Sequence, residues 1–563
     1  MPLKILVRNN SVKGSIGMCK TKASINRAWL FLALSCGVAI VCARSGAAAD
    51  VTITDAEAAR FLEQATFGPT VETIEHVKSV GIEQYLEEQF AAAPTGYPDL
   101  PLVPATAPAE CPSGSICRRD NYTLYPLQTQ FYLNALYGED QLRQRVAFAL
   151  HQIIVVSGVD ITLPSRLNPY LQVLNRNAFG NFRQLLYEVT LNPAMGAYLD
   201  MAGNARPNPN ENYAREVLQL FSLGLYQLNP DGTRRVDGFG RPITSYDERT
   251  VTEFARVFTG WNFAAAPATG IVNYIDPMIP TASRHDTGSK TLLRGVVLPA
   301  NQTAQKDLND AIDNIFNDPN VGPFIGKQLI QHLVLSNPSP AYVQRVAAAF
   351  DDNGLGVRGD LQAVTRAILM DPEARVAPVG PVVGGSPYKA GHLRHPALFV
   401  AGFLRAFSPM SADRLNPSDG YLNPQSEPMG MDVFRPASVF SYFSPGGVVP
   451  NTSVSGPEFA TLNTSTVLRR ANFVNTMVFS RINAGTTGLL GTSIDFTPWQ
   501  ALAGNPAQLV DSLNSLMMHG SMPSDMRTSI INAVTAVSSA NPLKRARTAV
   551  YLIATSSQYQ VLK

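Results

Sequence analysis

Cysteine is scarce in this 563-residue chain, and most of what there is sits at one end. Of five cysteines, Cys19, Cys36 and Cys42 fall within the first 49 residues, leaving Cys111 and Cys117 for the remainder. That leaves material for one disulfide at most. A basic excess is also missing. The chain carries 45 basic and 43 acidic residues, but seven of the basic and none of the acidic ones precede Asp50, so the remainder holds 38 against 43. With a net charge near −5 and no groove-reading motif, nucleic-acid binding is set aside. There is no His-Glu-x-x-His, no Gly-x-Ser-x-Gly and no phosphate-binding P-loop, which removes the commonest signatures of metalloproteases, α/β-hydrolases and nucleotide-binding proteins. No repeat of solenoid period is present.

What is there begins with an export signal over residues 1–49. Lys4, Arg8, Lys13, Lys20, Lys22 and Arg27 form a basic region without acids, Ala28 to Ala43 is an apolar run of 16 residues, and Ala47-Ala48-Ala49 is a small-residue cleavage site. The run is short of the ~20 residues a spanning helix needs. General secretion fits, since no twin-arginine pair precedes it; a retained signal anchor and a lipid anchor on Cys36 are the alternatives. The expected product is periplasmic or extracellular, with no transmembrane segment after cleavage. In that compartment Cys111 and Cys117 read as a small disulfide loop around Pro112-Ser113-Gly114, stabilising by ~2 kcal/mol in the entropic picture. A two-cysteine metal site is the other possibility, though no histidine lies nearby in sequence.

The mature chain, about 514 residues, can bury a large core. Helical signals dominate it. Thr54-Asp55-Ala56-Glu57 is a capping box opening a helix through Ala65, and Asp140 to Val156 is strongly periodic, with Leu142, Val146, Leu150 and Ile153 inward and Arg143, Gln144 and Arg145 outward. Further helices are expected near 163–175, 178–190, 304–317, 320–334, 340–351, 360–370, 388–407, 464–480, 505–517, 523–538 and 542–555. Gly270 to Ile275 and Thr291 to Leu298 are expected to pair as a small β hairpin or sheet. The fold class is therefore mainly α, a large multi-helix body with a small β insertion and a long aromatic-containing loop. Residues 50–407 are assigned to a helical core, 408–456 to a Pro/Gly/Ser-rich loop region carrying Phe434, Phe440, Tyr442 and Phe443, and 457–563 to a C-terminal helical part.

The chemistry-bearing stretch runs from Asn208 to Trp261. Asn208 suits an N-cap, Pro209 a first helical position and Glu211 a capping-box carboxylate, while Glu211 and Arg215 stand four apart, worth about 0.2–0.5 kcal/mol on an open face. In the following helix Arg249, Glu253 and Arg256 share a face, and Gly224 and Gly260 are placed as stops. Two such faces are either capped helices with paired charges or the walls of a cleft with perturbed acids and bases. His285-Asp286, followed by Gly288 and Lys290, could supply a general base or a metal ligand. His151 and His332 fall in apolar helices and read as hydrogen-bonded core residues. Gly354-Leu-Gly-Val-Arg-Gly359 matches a dinucleotide fingerprint in letters but follows a helix, Ser386-Pro-Tyr-Lys389 lacks the companions of a serine–lysine enzyme, and Asp351-Asp352-Asn353-Gly354 lacks the alternation of a calcium loop.

With these pieces in place, the chain resembles the bacterial family known as domain of unknown function 1800. The resemblance rests on Ala65-Thr-Phe-Gly-Pro-Thr70, Leu142-Arg-Gln-Arg-Val-Ala-Phe-Ala-Leu150, Pro209-Asn-Glu-Asn-Tyr-Ala-Arg-Glu216, Glu253-Phe-Ala-Arg256, Thr259-Gly-Trp261 and His285-Asp286 with Gly288 and Lys290-Thr291. Pro319 to Ile325, Phe440 to Pro445, Pro457-Glu-Phe459 and Tyr551 to Ser556 continue it. His151 and Thr250 depart from the expected pattern, where a small polar residue and an acid are common. The resemblance implies an exported helical protein, often encoded beside a secreted sulfatase-like partner, and no established reaction. Two functions remain in view. One is an accessory or binding protein that works with a secreted partner on polymers at the cell surface. The other is a hydrolase with Glu211, Glu253, His285 and Asp286 as acid–base or metal-binding groups, and Arg215, Arg256, Trp261 and Lys290 binding substrate. No cofactor or metal is specified by the sequence.

Overall fold

The computed structural model describes residues 53–375 and 391–562. The expected export signal, residues 1–49, and Ser386 to Lys389 lie outside the described residues. Twenty-four α-helices, four short 3-10 helices and three two-stranded antiparallel sheets make up the described elements. The mainly helical class is what the periodicity predicts, and many boundaries agree within a residue or two. The opening helix spans Asp55–Ala65, with Thr54 and Glu57 exchanging both bonds of the capping box. The segment Gly354 to Gly359 is a helix-to-helix connection between Pro340–Asp351 and Leu361–Met370.

A continuous apolar core links the helices from residue 58 to residue 559, and the described residues pack as one compact unit. The Val321–Leu333 helix packs against Pro340–Asp351 and against Gln141–Ile153, while Asp55–Ala65 packs on the late helix Pro506–Met518. Close approaches are bought with glycine: a Cβ on Gly68 would stand 2.6 Å from the Cα of Gly402. Cys111 and Cys117 form the expected disulfide, their Cα atoms 5.3 Å apart. None of the helices among the described residues is long and apolar enough to cross a membrane.

Four expectations need correction. Gln141–Ile153 has no outward polar face: Arg145 is fully buried, donating from Nε to the Thr66 carbonyl at 3.2 Å and from Nη2 to the His332 carbonyl at 3.1 Å. Gln144 is buried too, and donates to Asp140 at 3.0 Å. For Arg145, backbone carbonyls stand where water is expected. Secondly, Gly270–Ile275 does not pair with 291–298. Trp261–Asn262 pairs instead with Ile279–Pro280, and Lys290–Thr291 folds back on Val297–Leu298. Thirdly, the helix expected from Asn208 starts only at Asn212. Finally, Tyr125–Tyr137 is a helix that the sequence reading does not anticipate, with Pro126 in its first turn and apolar residues on several sides.

Candidate functional site

The Asn212–Gln219 and Glu248–Val257 helices pack together, and each carries the charges foreseen for it. Glu211 does not cap through its side chain. Its carboxylate instead accepts from Arg215 at 3.1 Å and from the Thr252 hydroxyl at 2.8 Å, tying one helix to the other. Arg215 reaches on to Glu248 at 2.5 Å, which holds the guanidinium above and the Glu248 carboxyl below their usual ranges. One turn along, Arg256 is gripped by Glu253 at 2.7 Å and by Asp286 through two bonds of 3.0 and 3.1 Å. The Arg256 guanidinium lowers the Asp286 carboxyl from its ordinary value.

His285 is almost fully buried, 1% exposed. Its Nδ1 lies 2.9 Å from the Thr259 carbonyl and its Nε2 3.1 Å from Asp307. Lys290 is equally buried and donates to the same Asp307 oxygen at 2.6 Å, and to the carbonyls of Asp286 and Gly288. Gln302 takes the other Asp307 oxygen at 2.8 Å. Burial raises the Asp307 carboxyl, but the His285 and Lys290 bonds outweigh it and the net direction is downward. Gly260, at φ +89°, lets this loop close on the helix end, since a Cβ there would meet His285 at 3.0 Å. Trp261 is 1% exposed, and its ring is enclosed by the core. While Trp261 stands apart with its Nε1 buried and unpartnered, Glu211, Arg215, Glu253, Arg256, His285, Asp286 and Lys290 assemble into three knots, around Arg215, Arg256 and the unforeseen Asp307, in which the charges are paired. Asn204, which the sequence does not flag, clamps them from behind: its amide donates to the Ala255 and Phe258 carbonyls at 3.2 Å, and its Oδ1 accepts from the Asn210 backbone at 2.8 Å.

A different cluster shows the opposite chemistry. A narrow recess, with room for little more than a water molecule, is lined by Gln152, Gln328, Gln331, His332, Ser441 and Glu458, with Phe443 and two prolines around them. The Val321–Leu333 helix supplies Gln328, Gln331 and His332, at i, i+3 and i+4 spacing, so they share one face. Gln152 comes from Gln141–Ile153, Ser441 and Phe443 from the aromatic loop, and Glu458 from the short helix Pro457–Thr461. His395 stands beside His332 with ring centroids 5.9 Å apart, and His392 beside His395 at 4.9 Å. His392 belongs to the strand His392–Leu393 that pairs with Val561–Leu562, and His395 precedes the helix Pro396–Arg405.

Many of these groups lack partners. Gln152 Oε1, Gln328 Nε2, Ser441 Oγ, His332 Nδ1 and both ring nitrogens of His392 and His395 are buried without a hydrogen bond. The expectation of hydrogen-bonded core histidines therefore fails at Nδ1 of His332 and at both ring nitrogens of the buried His151. Burial, with Arg145 adding to it, pushes His332 down to about 3; burial first, then Arg145 and His332, does the same to His392. His395 is pushed well down by burial and by the other two rings. Glu458 moves up through burial, although its Oε1 accepts from Ser336 and from the Leu393 backbone at 3.2 Å. Nδ1 of His392 is 3.6 Å from that carboxylate, beyond hydrogen-bond reach. Among the described residues no group of three His, Cys, Asp or Glu side chains stands in position to hold a metal ion. The signal available in sequence was the polar trio Gln328, Gln331 and His332 on one face of an otherwise apolar helix.

No curated protein and no solved structure matches the chain. One family model does, over residues 60–561, which takes in the paired-charge knots, the recess and the C-terminal helices alike. The chain belongs to that family, described as protein of unknown function (DUF1800).

Proposed function

We propose that this chain is an exported accessory protein that binds rather than cleaves, acting with a secreted partner on polymers at the cell surface, and that the recess beside His332 is its binding point. One contrast carries the proposal. The groups a Glu/His hydrolase would use are engaged with each other, as in Arg256 between Glu253 and Asp286, whereas Gln152, Gln328 and Ser441 have unpartnered polar atoms at an enclosed recess. Buried polar groups without partners are rare and costly, and a ligand that satisfies them recovers that cost on binding.

The test is co-sedimentation of the full chain, recovered from the exported fraction, with insoluble cell-surface polymer. Two variants are compared, Gln328→Leu at the recess and Glu253→Gln at the ion pairs. Binding that is lost in Gln328→Leu and kept in Glu253→Gln supports the accessory reading. Soluble products that appear with the unmodified chain and vanish in Glu253→Gln would bring the hydrolase back to the front. Thermal melts of both variants separate loss of binding from loss of fold.

A further inference from the structure

We infer that the recess takes a neutral hydroxyl group, of the kind a sugar or polyol presents, and discriminates against carboxylate, phosphate and ammonium groups. The inference rests on the binding reading above and narrows it to a ligand class. Its first support is the pairing of opposite needs. The Gln152 amide is oriented by donation from Nε2 to the Phe148 carbonyl at 3.2 Å, which leaves Oε1 as an unpartnered acceptor. Gln328 Nε2 is an unpartnered donor, and Ser441 Oγ can act either way. A hydroxyl both donates and accepts, so a ligand hydroxyl has the capacity to answer both kinds of group in the lining. A carboxylate or phosphate only accepts and would set its lone pairs against Gln152 Oε1. An ammonium only donates and would leave the Gln328 N–H unmet.

The second support is the charge of the lining. The side chains around the recess are three amides, an imidazole, a hydroxyl, a phenyl ring, two prolines and one carboxyl. No Lys or Arg lines the recess, and the nearby Arg145 is turned to the Thr66 and His332 carbonyls, so an anion would be desolvated without a direct ion-pair partner. Glu458 is the single group that could attract a cation, and its Oε1 is already occupied by Ser336 and Leu393. Size is the third. A space little larger than a water molecule accepts the tip of a ligand, a hydroxyl or hydroxymethyl, while the rest stays outside. His332 is itself part of the lining, and burial holds it and the neighbouring His392 and His395 below the ordinary imidazole range, so these rings stay neutral near pH 7.

Three probes with the same ring decide it: methyl β-D-glucoside, glucuronate and glucosamine, titrated into the full chain by calorimetry and soaked into crystals. The glucoside is expected to bind about tenfold or more tightly than either charged ring, to show density in the recess, and to weaken about tenfold in Gln328→Leu. Density that places the glucuronate carboxylate or the glucosamine ammonium itself in the recess, with binding equal to or tighter than the glucoside's, overturns the ligand class and leaves the binding point standing. A recess that holds ordered water only, at saturating glucoside, also overturns it. Polymer binding that survives Gln328→Leu is the separate result that removes the binding point itself.

Discussion

Around Arg256 every acid in reach has a cation, and around His332 a row of polar atoms has nothing. Glu253, Asp286 and the Thr291 backbone, 3.2 Å from Glu253, share the first knot; five ring nitrogens of His332, His392 and His395 lie unpartnered in the second. The contrast follows from where the residues sit in the chain. Two of the charge pairs, Glu211–Arg215 and Glu253–Arg256, lie four and three apart, each on one helix, so local geometry starts their knots. Glu248, Asp286 and Asp307 are then added from neighbouring segments 17 to 33 residues away. The side chains around the recess come from helices, a strand and a loop spread from residue 152 to residue 458, and only the packed fold makes them neighbours. Local pairs stabilise; a distant, unsatisfied set invites a ligand.

The sharpest way to break the first region is at Asp307. It is fully buried and holds both His285 and Lys290. Asp307→Ala leaves the Lys290 ammonium buried without a counter-charge, and a loss of about 3–5 kcal/mol in denaturant unfolding is expected. An unchanged midpoint would mean that this knot is not a structural support.

The second region is probed by acid. His332 and His392 titrate near 3 in the folded chain and near ~6.5 unfolded, so between these values the unfolded state holds the extra protons. Stability from neutral burial is complete above pH 6.5 and falls as pH drops toward 3, by about 1.4 kcal/mol per pH unit for each ring. Glu458, raised by burial, runs the other way and moderates the slope. His332→Gln should therefore flatten the stability profile between pH 6 and 4 by about 1 kcal/mol per unit. A profile parallel to that of the unmodified chain would show His332 already protonated in the fold.

A smaller effect is expected at Arg256, whose side chain and that of Asp286 are about one-fifth exposed. Arg256→Met should cost about 1–2 kcal/mol, discounted for solvent screening, and return the Asp286 carboxyl upward toward its ordinary range. Titration of Asp286 by NMR in the variant checks the direction.

How far this was legible in the sequence differs between the two regions. The capping box at Thr54 and Glu57, the Glu211–Arg215 pair and the Cys111–Cys117 loop are local, and each formed as spaced. The Lys290–Asp307 contact was not legible, since nothing in the spacing links the end of a β turn to the first turn of the helix Ala304–Phe316. Nor was the inward turn of Arg145, because a charged residue beside an apolar stripe is usually solvated, and here the Thr66 and His332 carbonyls take the place of water. Periodicity found the helices well and found the sheets badly: two-residue strands leave no alternation to read.

Glu248 offers the smallest change and the cleanest check on the comparison. Its carboxylate meets Arg215 at 2.5 Å, yet the side chain is 68% exposed, and Arg215 keeps Glu211 as a second partner at 3.1 Å. Water and salt screen such a pair, and holding two long side chains in one geometry offsets much of the attraction. Glu248→Ala should leave the unfolding midpoint indistinguishable from that of the unmodified chain, and raising the salt concentration should not separate the two. A clear destabilisation would show that the Asn212–Gln219 and Glu248–Val257 helices depend on this outer bond rather than on the buried contacts of Tyr213, Phe254 and Phe258. In that event the charged face is an energetic support along its whole length, and the contrast with the recess widens.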